Sequence, residues 1–119
     1  METMNWIEKI KEAVHIAMNK KLVIDGTYHE LLKHFFFEIE GGFEFFIYLD
    51  SNRILIHTKK GHFYDKYSIT DRDELELRTL VLSIKEYNKN IAISEFEEFI
   101  SDKKEDSELT INDLDSEDD

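Results

Sequence analysis

The sequence predicts an α+β domain. It is an antiparallel β-meander of about four strands, with one helix before it and two helices after it, all packed on the sheet, followed by a disordered acidic tail. Three observations predict this. Apolar residues recur at helical spacing over residues 5–19 and 71–88. Between them, residues 33–69 carry large apolar side chains with a period of two, broken by turn residues. After Ile100 the apolar spacing stops, and residues 103–119 are polar, acidic and free of aromatic residues. The expected division is a single domain over 1–102 and a disordered acidic tail over 103–119.

The first helix rests on Trp6, Ile7, Ile10, Val14, Ala17 and Met18, which fall on one face. Asn5 followed by Glu8 has capping-box spacing and marks its start. Residues 21–24 read as a short strand ended by Asp25-Gly26. Thr27 and Glu30 repeat the capping spacing ahead of Leu31-Leu32, which predicts a helix of one or two turns over 28–33.

The strands from residue 34 onward can be phased by arithmetic. Phe35, Phe37 and Ile39 point one way, and Phe36, Glu38 and Glu40 the other. A three-residue loop, Glu40-Gly41-Gly42, keeps the phase and joins Phe43, Phe45, Ile47 and Leu49 to the first set. A turn at Ser51-Asn52 then places Leu49 beside Ile54, Tyr48 beside Leu55 and Asp50 beside Arg53. A turn at Lys60-Gly61 places Thr58 opposite Phe63 and His57 opposite Tyr64. Tyr67 and Ile69 return to the core side. Asp65 falls there too, and a bulge or an edge position would relieve it.

Helix 71–88 is capped by Asp71 with Glu74 or by Thr70 with Asp73. Leu77, Leu80, Val81 and Ile84 form its core stripe; Leu75 and Leu82 lie opposite, under the following segment or against another chain. Ser94 and Glu97 cap a separate short helix bearing Phe96, Phe99 and Ile100. Leu109, Ile111 and Leu114 are scattered in the tail.

Charge narrows the function classes. The net charge is −12. Residues 101–119 hold 9 acids and 2 lysines, against 18 acids and 13 bases in residues 1–100, so much of the excess sits in the tail. No surplus of Lys and Arg offers itself to phosphate, which argues against direct nucleic-acid binding and for a basic protein partner. There is no long apolar run and no basic stretch followed by an apolar one, so neither a membrane span nor a secretory signal is expected. The absence of Cys excludes thiolate ligands and fits a reducing, cytoplasmic setting.

No nucleophile, phosphate cradle or calcium-loop spacing is present, so neither enzyme nor cofactor is expected. His57 and His62 share a face, but two imidazoles make a weak metal site and none is predicted. What remains is the second sheet face. A small solvated sheet needs one apolar face, and this one has two. Phe36, Phe46, Tyr48, Leu55, His57 and Tyr64, with Glu38, Glu40, Glu44 and Asp50 around them, are the predicted partner-binding residues. The expectation is a non-enzymatic acidic protein that inhibits or regulates a basic, nucleic-acid-binding type of partner. The alternative is a self-associating module that forms a homodimer through this face.

In its small size, acidity, lack of Cys and richness in Lys, Ile, Asn and Phe, the whole chain resembles small acidic inhibitors encoded by bacteriophages, including anti-CRISPR and other DNA-mimic proteins. The resemblance implies anti-defence inhibition of a basic partner. It is carried by composition, and no family residue transfers to this chain. Acidic toxin-immunity proteins share the charge.

Overall fold

The structure, a computed structural model, describes residues 4–106. Helix α1 (Trp6–Asn19) is followed by β1 (Ile24–His29), β2 (His34–Ile39), β3 (Phe43–Tyr48), β4 (Arg53–Thr58), β5 (Gly61–Lys66) and helix α2 (Asp71–Asp106). The strands form one antiparallel sheet in the order β1-β2-β3-β4-β5, so every connection is a hairpin. The described chain divides into two compact units, one up to Tyr87 and one from Asn88 onward.

In the first unit both helical segments lie on one side of the sheet. Ile7, Ile10, Val14 and Ala17 of α1 and Leu77, Leu80, Val81 and Ile84 of α2 enclose Ile24, Phe35, Phe37, Ile39, Phe45, Ile47 and Ile54. We call this the inner face. The Asn5 side chain caps α1 by accepting the Glu8 amide at 3.1 Å. Thr70 and Asp73 cap α2 reciprocally, each side chain accepting the other's amide at 3.1 and 3.0 Å. The Lys11 ammonium donates to Glu76 at 2.8 Å and ties one helix to the other.

The α+β class, the antiparallel sheet and the packed helices agree with the sequence reading; the number of elements does not. Five strands stand where about four were expected, because residues 28–33 form no helix. Thr27 and Tyr28 continue β1, and residues 30–33 make the turn into β2 with Lys33 at φ 54°. The Leu32 amide donates to His29 Nδ1 at 3.2 Å, so the Thr27/Glu30 spacing caps nothing. Gly26 does not stop the strand either. It lies opposite Phe37, and a Cβ there would meet Ile84 Cδ1 at 2.7 Å, so the missing side chain lets α2 approach β1.

One C-terminal helix replaces the two expected. Between Tyr87 and Ser94 there is no Gly or Pro, and Asn and Lys cost a helix only a fraction of a kcal/mol each, roughly 0.3–0.7 on the usual scale. Ser94 therefore sits inside α2 and caps nothing. The second unit is described by its helical residues 88–106, which expose Ile93, Phe96, Phe99 and Ile100. The helix also runs past the expected start of the tail at residue 103; the remainder of that tail, residues 107–119, lies outside the described residues.

The first hairpin has the predicted register, with Ile39 opposite Phe43 and both Gly41 and Gly42 at positive φ. The next two are shifted. Tyr48 pairs with Arg53 rather than Leu55, and His57 pairs with His62 rather than Tyr64. Both shifts are by two residues. A shift of two preserves which face each side chain occupies, so the faces were read correctly although the pairs were not. Asp65 points to the inner side of edge strand β5, half-buried, and accepts the Trp6 indole N–H at 2.7 Å. No bulge is needed, because the helix brings its own donor.

Candidate functional site

The outward-pointing residues of the five strands are set in three rows by the register. The central row runs Thr27, Phe36, Phe46, Leu55, Tyr64, each directly opposite the next. On one side runs Asp25, Glu38, Glu44, His57, His62; on the other, His29, His34, Tyr48, Arg53, Lys66. Adjacent strands lie about 4.8 Å apart and the rows about 6.8 Å apart, two residues along a strand.

The central row forms an aromatic layer of its own. The Phe36 and Phe46 rings are 4.9 Å apart between centroids, and Phe46 stacks on Tyr48 at 6.5 Å. His34 meets Tyr48 edge-on at 4.6 Å, and His62 meets Tyr64 edge-on at 6.1 Å. Phe36, Phe46, Tyr48 and Leu55 are half-buried by one another, and Tyr64 is 50% exposed. None belongs to the cluster packed by the helices. Burial in this layer, and then the neighbouring Tyr64, push the Tyr48 phenol above its ordinary value of 10.0. Glu44, Phe46, Leu55, His57, His62 and Tyr64 line a shallow depression at one end of the layer.

Charge on this face is placed diagonally. The acids Asp25, Glu38 and Glu44 occupy β1, β2 and β3 at one end of the strands. The cations Arg53 and Lys66 occupy β4 and β5 at the other end. The two remaining corners hold directly paired histidines, His29 with His34 and His57 with His62. Glu44 hydrogen-bonds His57 Nδ1 at 2.9 Å. Among the described residues, Asp25, Glu38, Arg53 and Lys66 form no ion pair. Glu38 sits directly between Asp25 and Glu44, and like charges directly opposite destabilise a sheet. The fold carries that repulsion on its surface, with only the Glu44–His57 hydrogen bond beside it.

Of the residues predicted from sequence, Phe36, Phe46, Leu55 and Tyr64 come together in the central row, with Tyr48, His57, Glu38 and Glu44 beside them. Glu40 and Asp50 lie elsewhere. Glu40 follows β2 and accepts the Val23 amide at 2.8 Å, and Asp50 falls in the β3–β4 loop because of the register shift. The sequence reading set Arg53 and His62 on this face without naming them as binding residues, and it missed Asp25, Thr27, His29, His34 and Lys66 as members. For β1 the signal was present: Ile24, Gly26 and Tyr28 alternate with Asp25, Thr27 and His29, a period of two.

No cluster of three or more metal-ligating side chains occurs among the described residues. None of their helices is long and apolar enough to cross a membrane. No family model, curated protein or solved structure matches this chain. The rows themselves are therefore the ground for a functional reading. They offer an apolar centre and unneutralised charges at opposite corners, which suits recognition of a surface.

Proposed function

We propose that the protein is a non-enzymatic protein-docking module that works by occupying a partner's surface through the outer face of its sheet. One observation carries this reading: the aromatic row Phe36, Phe46, Leu55, Tyr64 lies on the face opposite the helices of its own unit, where folding alone would put polar residues. Aromatic residues at the centre of an interface dominate its affinity, and charges around them choose the partner. The Asp25, Glu38, Glu44 corner meets Lys or Arg on that partner, in keeping with the overall charge of −12. Inhibition or regulation then follows from masking a basic surface, with no chemistry performed on it.

Site-specific photo-cross-linking tests this. Benzoylphenylalanine is placed at Tyr64, in the row, or at Ile16, an exposed apolar position on α1. In lysate of the cells that naturally hold the protein, Tyr64 gives a discrete adduct and Ile16 does not. The yield falls as salt is raised, because exposed charge attraction is screened over about 8 Å at physiological ionic strength. Equal patterns from both positions, or none from Tyr64, would remove the outer face from consideration.

A further inference from the structure

The outer face is complementary to itself. Consider a two-fold axis lying in the plane of the face along the diagonal from the His29/His34 corner to the His57/His62 corner. Rotation about it carries the acidic corner of one copy onto the Arg53/Lys66 corner of the other, and the reverse. Phe46, at the middle of β3 and of the central row, falls on the axis and meets its own mate. The aromatic row of each copy runs along β3 of the other, bringing Phe36 of one copy over Tyr48 of its mate. The strands then cross at nearly a right angle, one of the two ways in which sheets pack face to face. An axis along the strands or along the rows instead sets the acids over histidines and leaves both charge corners unmatched. The diagonal is the arrangement in which every unpaired charge of the face finds its opposite.

We propose that the occupant of this face is a second copy of the chain, in an isologous dimer about that diagonal. This deepens the docking reading above and rests on it. Area supports a reversible association. Five strands of six residues give a footprint of roughly 480 Å² per copy. Two such footprints total about 1,000 Å², the lower bound for a specific interface and well short of the roughly 1,600 Å² of a standard one. The dimer is therefore concentration-dependent, and dissociation frees the face for a competing basic partner.

A charge-swap pair tests the geometry. Glu38→Lys with Glu44→Lys makes both charged corners basic, and Arg53→Glu with Lys66→Glu makes both acidic. Sedimentation equilibrium of the purified full chain is expected to show a monomer–dimer equilibrium. Each double variant alone associates at least about tenfold more weakly, since like charges now face each other. An equimolar mixture restores association, and native mass spectrometry finds the mixed dimer in excess over both homodimers. Far-ultraviolet circular dichroism checks that each variant is folded.

Single cysteines supply an independent reading, because the chain has none. His34→Cys and His57→Cys lie along the axis and oxidise to disulfide dimers, whereas Tyr64→Cys, off the axis, does not. Wild type that stays monomeric to about 1 mM, a limit corresponding to only about 4 kcal/mol of binding, overturns the inference. So does a folded charge-swap mixture that fails to associate, or a Tyr64→Cys that cross-links as fast as His57→Cys. A monomeric chain whose Tyr64 photo-adduct contains another protein would end the dimer and leave the docking reading standing. No discrete adduct of either kind would end both.

Discussion

Phe35 and Phe36 are neighbours in the chain and identical in kind, yet they occupy opposite faces of one sheet. Phe35 is 0% exposed, stacks parallel to Phe37 at 6.2 Å and lies under two helical segments. Phe36 is half-buried, and its ring neighbour on the outer face, Phe46, is half-buried too. The inner face buries Phe35, Phe37, Ile47 and Ile54 under the helices, leaves Phe43 and Phe63 half exposed at its rim, and meets its carboxylate, Asp65, with a donor. The outer face leaves its apolar groups partly wet and, among the described residues, Asp25, Glu38, Arg53 and Lys66 without an ion pair. Apolar residues fill most inward positions of the strands, whereas the outward positions hold Phe36, Phe46, Tyr48, Leu55 and Tyr64 among charged residues and histidines, and no helix stripe of the same unit covers them. The docking proposal rests on this apolar row, which its own unit does not cover.

The sharpest way to break this comparison is to truncate both neighbours. Phe35→Ala should cost about 3–5 kcal/mol of folding stability, the usual range for a fully buried Phe. Phe36→Ala should cost about 1 kcal/mol, the scale of a cross-strand aromatic contact on a solvated face. Urea unfolding measures both. Equal losses would mean that the outer face is core, and the functional reading built on it would fall.

Gly26 and Thr27 repeat the contrast on β1. Gly26→Ala drives a Cβ to 2.7 Å from Ile84 and about 3.1 Å from Phe37 on the inner face. Side-chain tips must shift, and overpacking of this kind costs about 1–3 kcal/mol. Thr27→Ala, one residue along and on the outer face, should stay within about 0.5 kcal/mol. If Gly26→Ala is neutral, α2 has room to retreat from β1, and the inner face is looser than its burial implies.

These pairs also show what could be read before the fold was known. Which face each residue of β2, β3 and β4 occupies was legible from Phe35 to Thr58, because side-chain direction alternates strictly and a two-residue slip preserves it. The partners of Tyr48 and His57 were not legible. Both β3–β4 and β4–β5 turns admit registers two residues apart, and local sequence does not choose between them. The three rows depend on those partners, so the diagonal of charge was hidden although Glu38 and Glu44 were named. Strand β1 was expected too early, over residues 21–24, for a different reason. Thr27 and Glu30 imitate a helix start, and only pairing with β2 overrides that local preference. The join between the expected C-terminal helices was misread from Ser94, a good cap residue with no chain break before it.

Trp6 and Asp65 test a polar contact on the inner face. Trp6→Phe keeps the ring against Phe63, now 5.7 Å away, and removes the indole donor. Asp65 is then half-buried without a partner, and the expected loss is about 1–2 kcal/mol. Adding Asp65→Leu should recover most of it, since removing both polar partners is close to neutral. A double variant no better than Trp6→Phe alone would show that ring packing, not the hydrogen bond, held this edge.

The smallest expected effect lies between the helices themselves, at Lys11 and Glu76. The hydrogen bond from Lys11, opposed by some desolvation and reinforced by the charges of Lys11 and Arg72, holds the Glu76 carboxyl below its ordinary value of 4.5. The same hydrogen bond holds the Lys11 ammonium above its ordinary value of 10.5, again against desolvation. A carboxyl depressed on folding adds stability above its unfolded value and loses it as pH falls through its folded one. An ammonium raised on folding adds stability below its unfolded value and loses it as pH rises through its folded one. The pair therefore contributes across the window from 4.5 to 10.5 and fades on both sides. Glu76→Gln should lower the urea midpoint slightly near neutrality. Well below 4.5, where the wild-type carboxyl is itself protonated, the two proteins should unfold together. A difference that persists in acid would assign the contact to packing of the Glu76 stem. One that vanishes leaves the helix layer held on the sheet by its apolar residues, with charge as a minor addition. That is the reverse of the outer face, where Asp25, Glu38, Arg53 and Lys66 stand without an ion pair among the described residues and the proposed docking rests on charge.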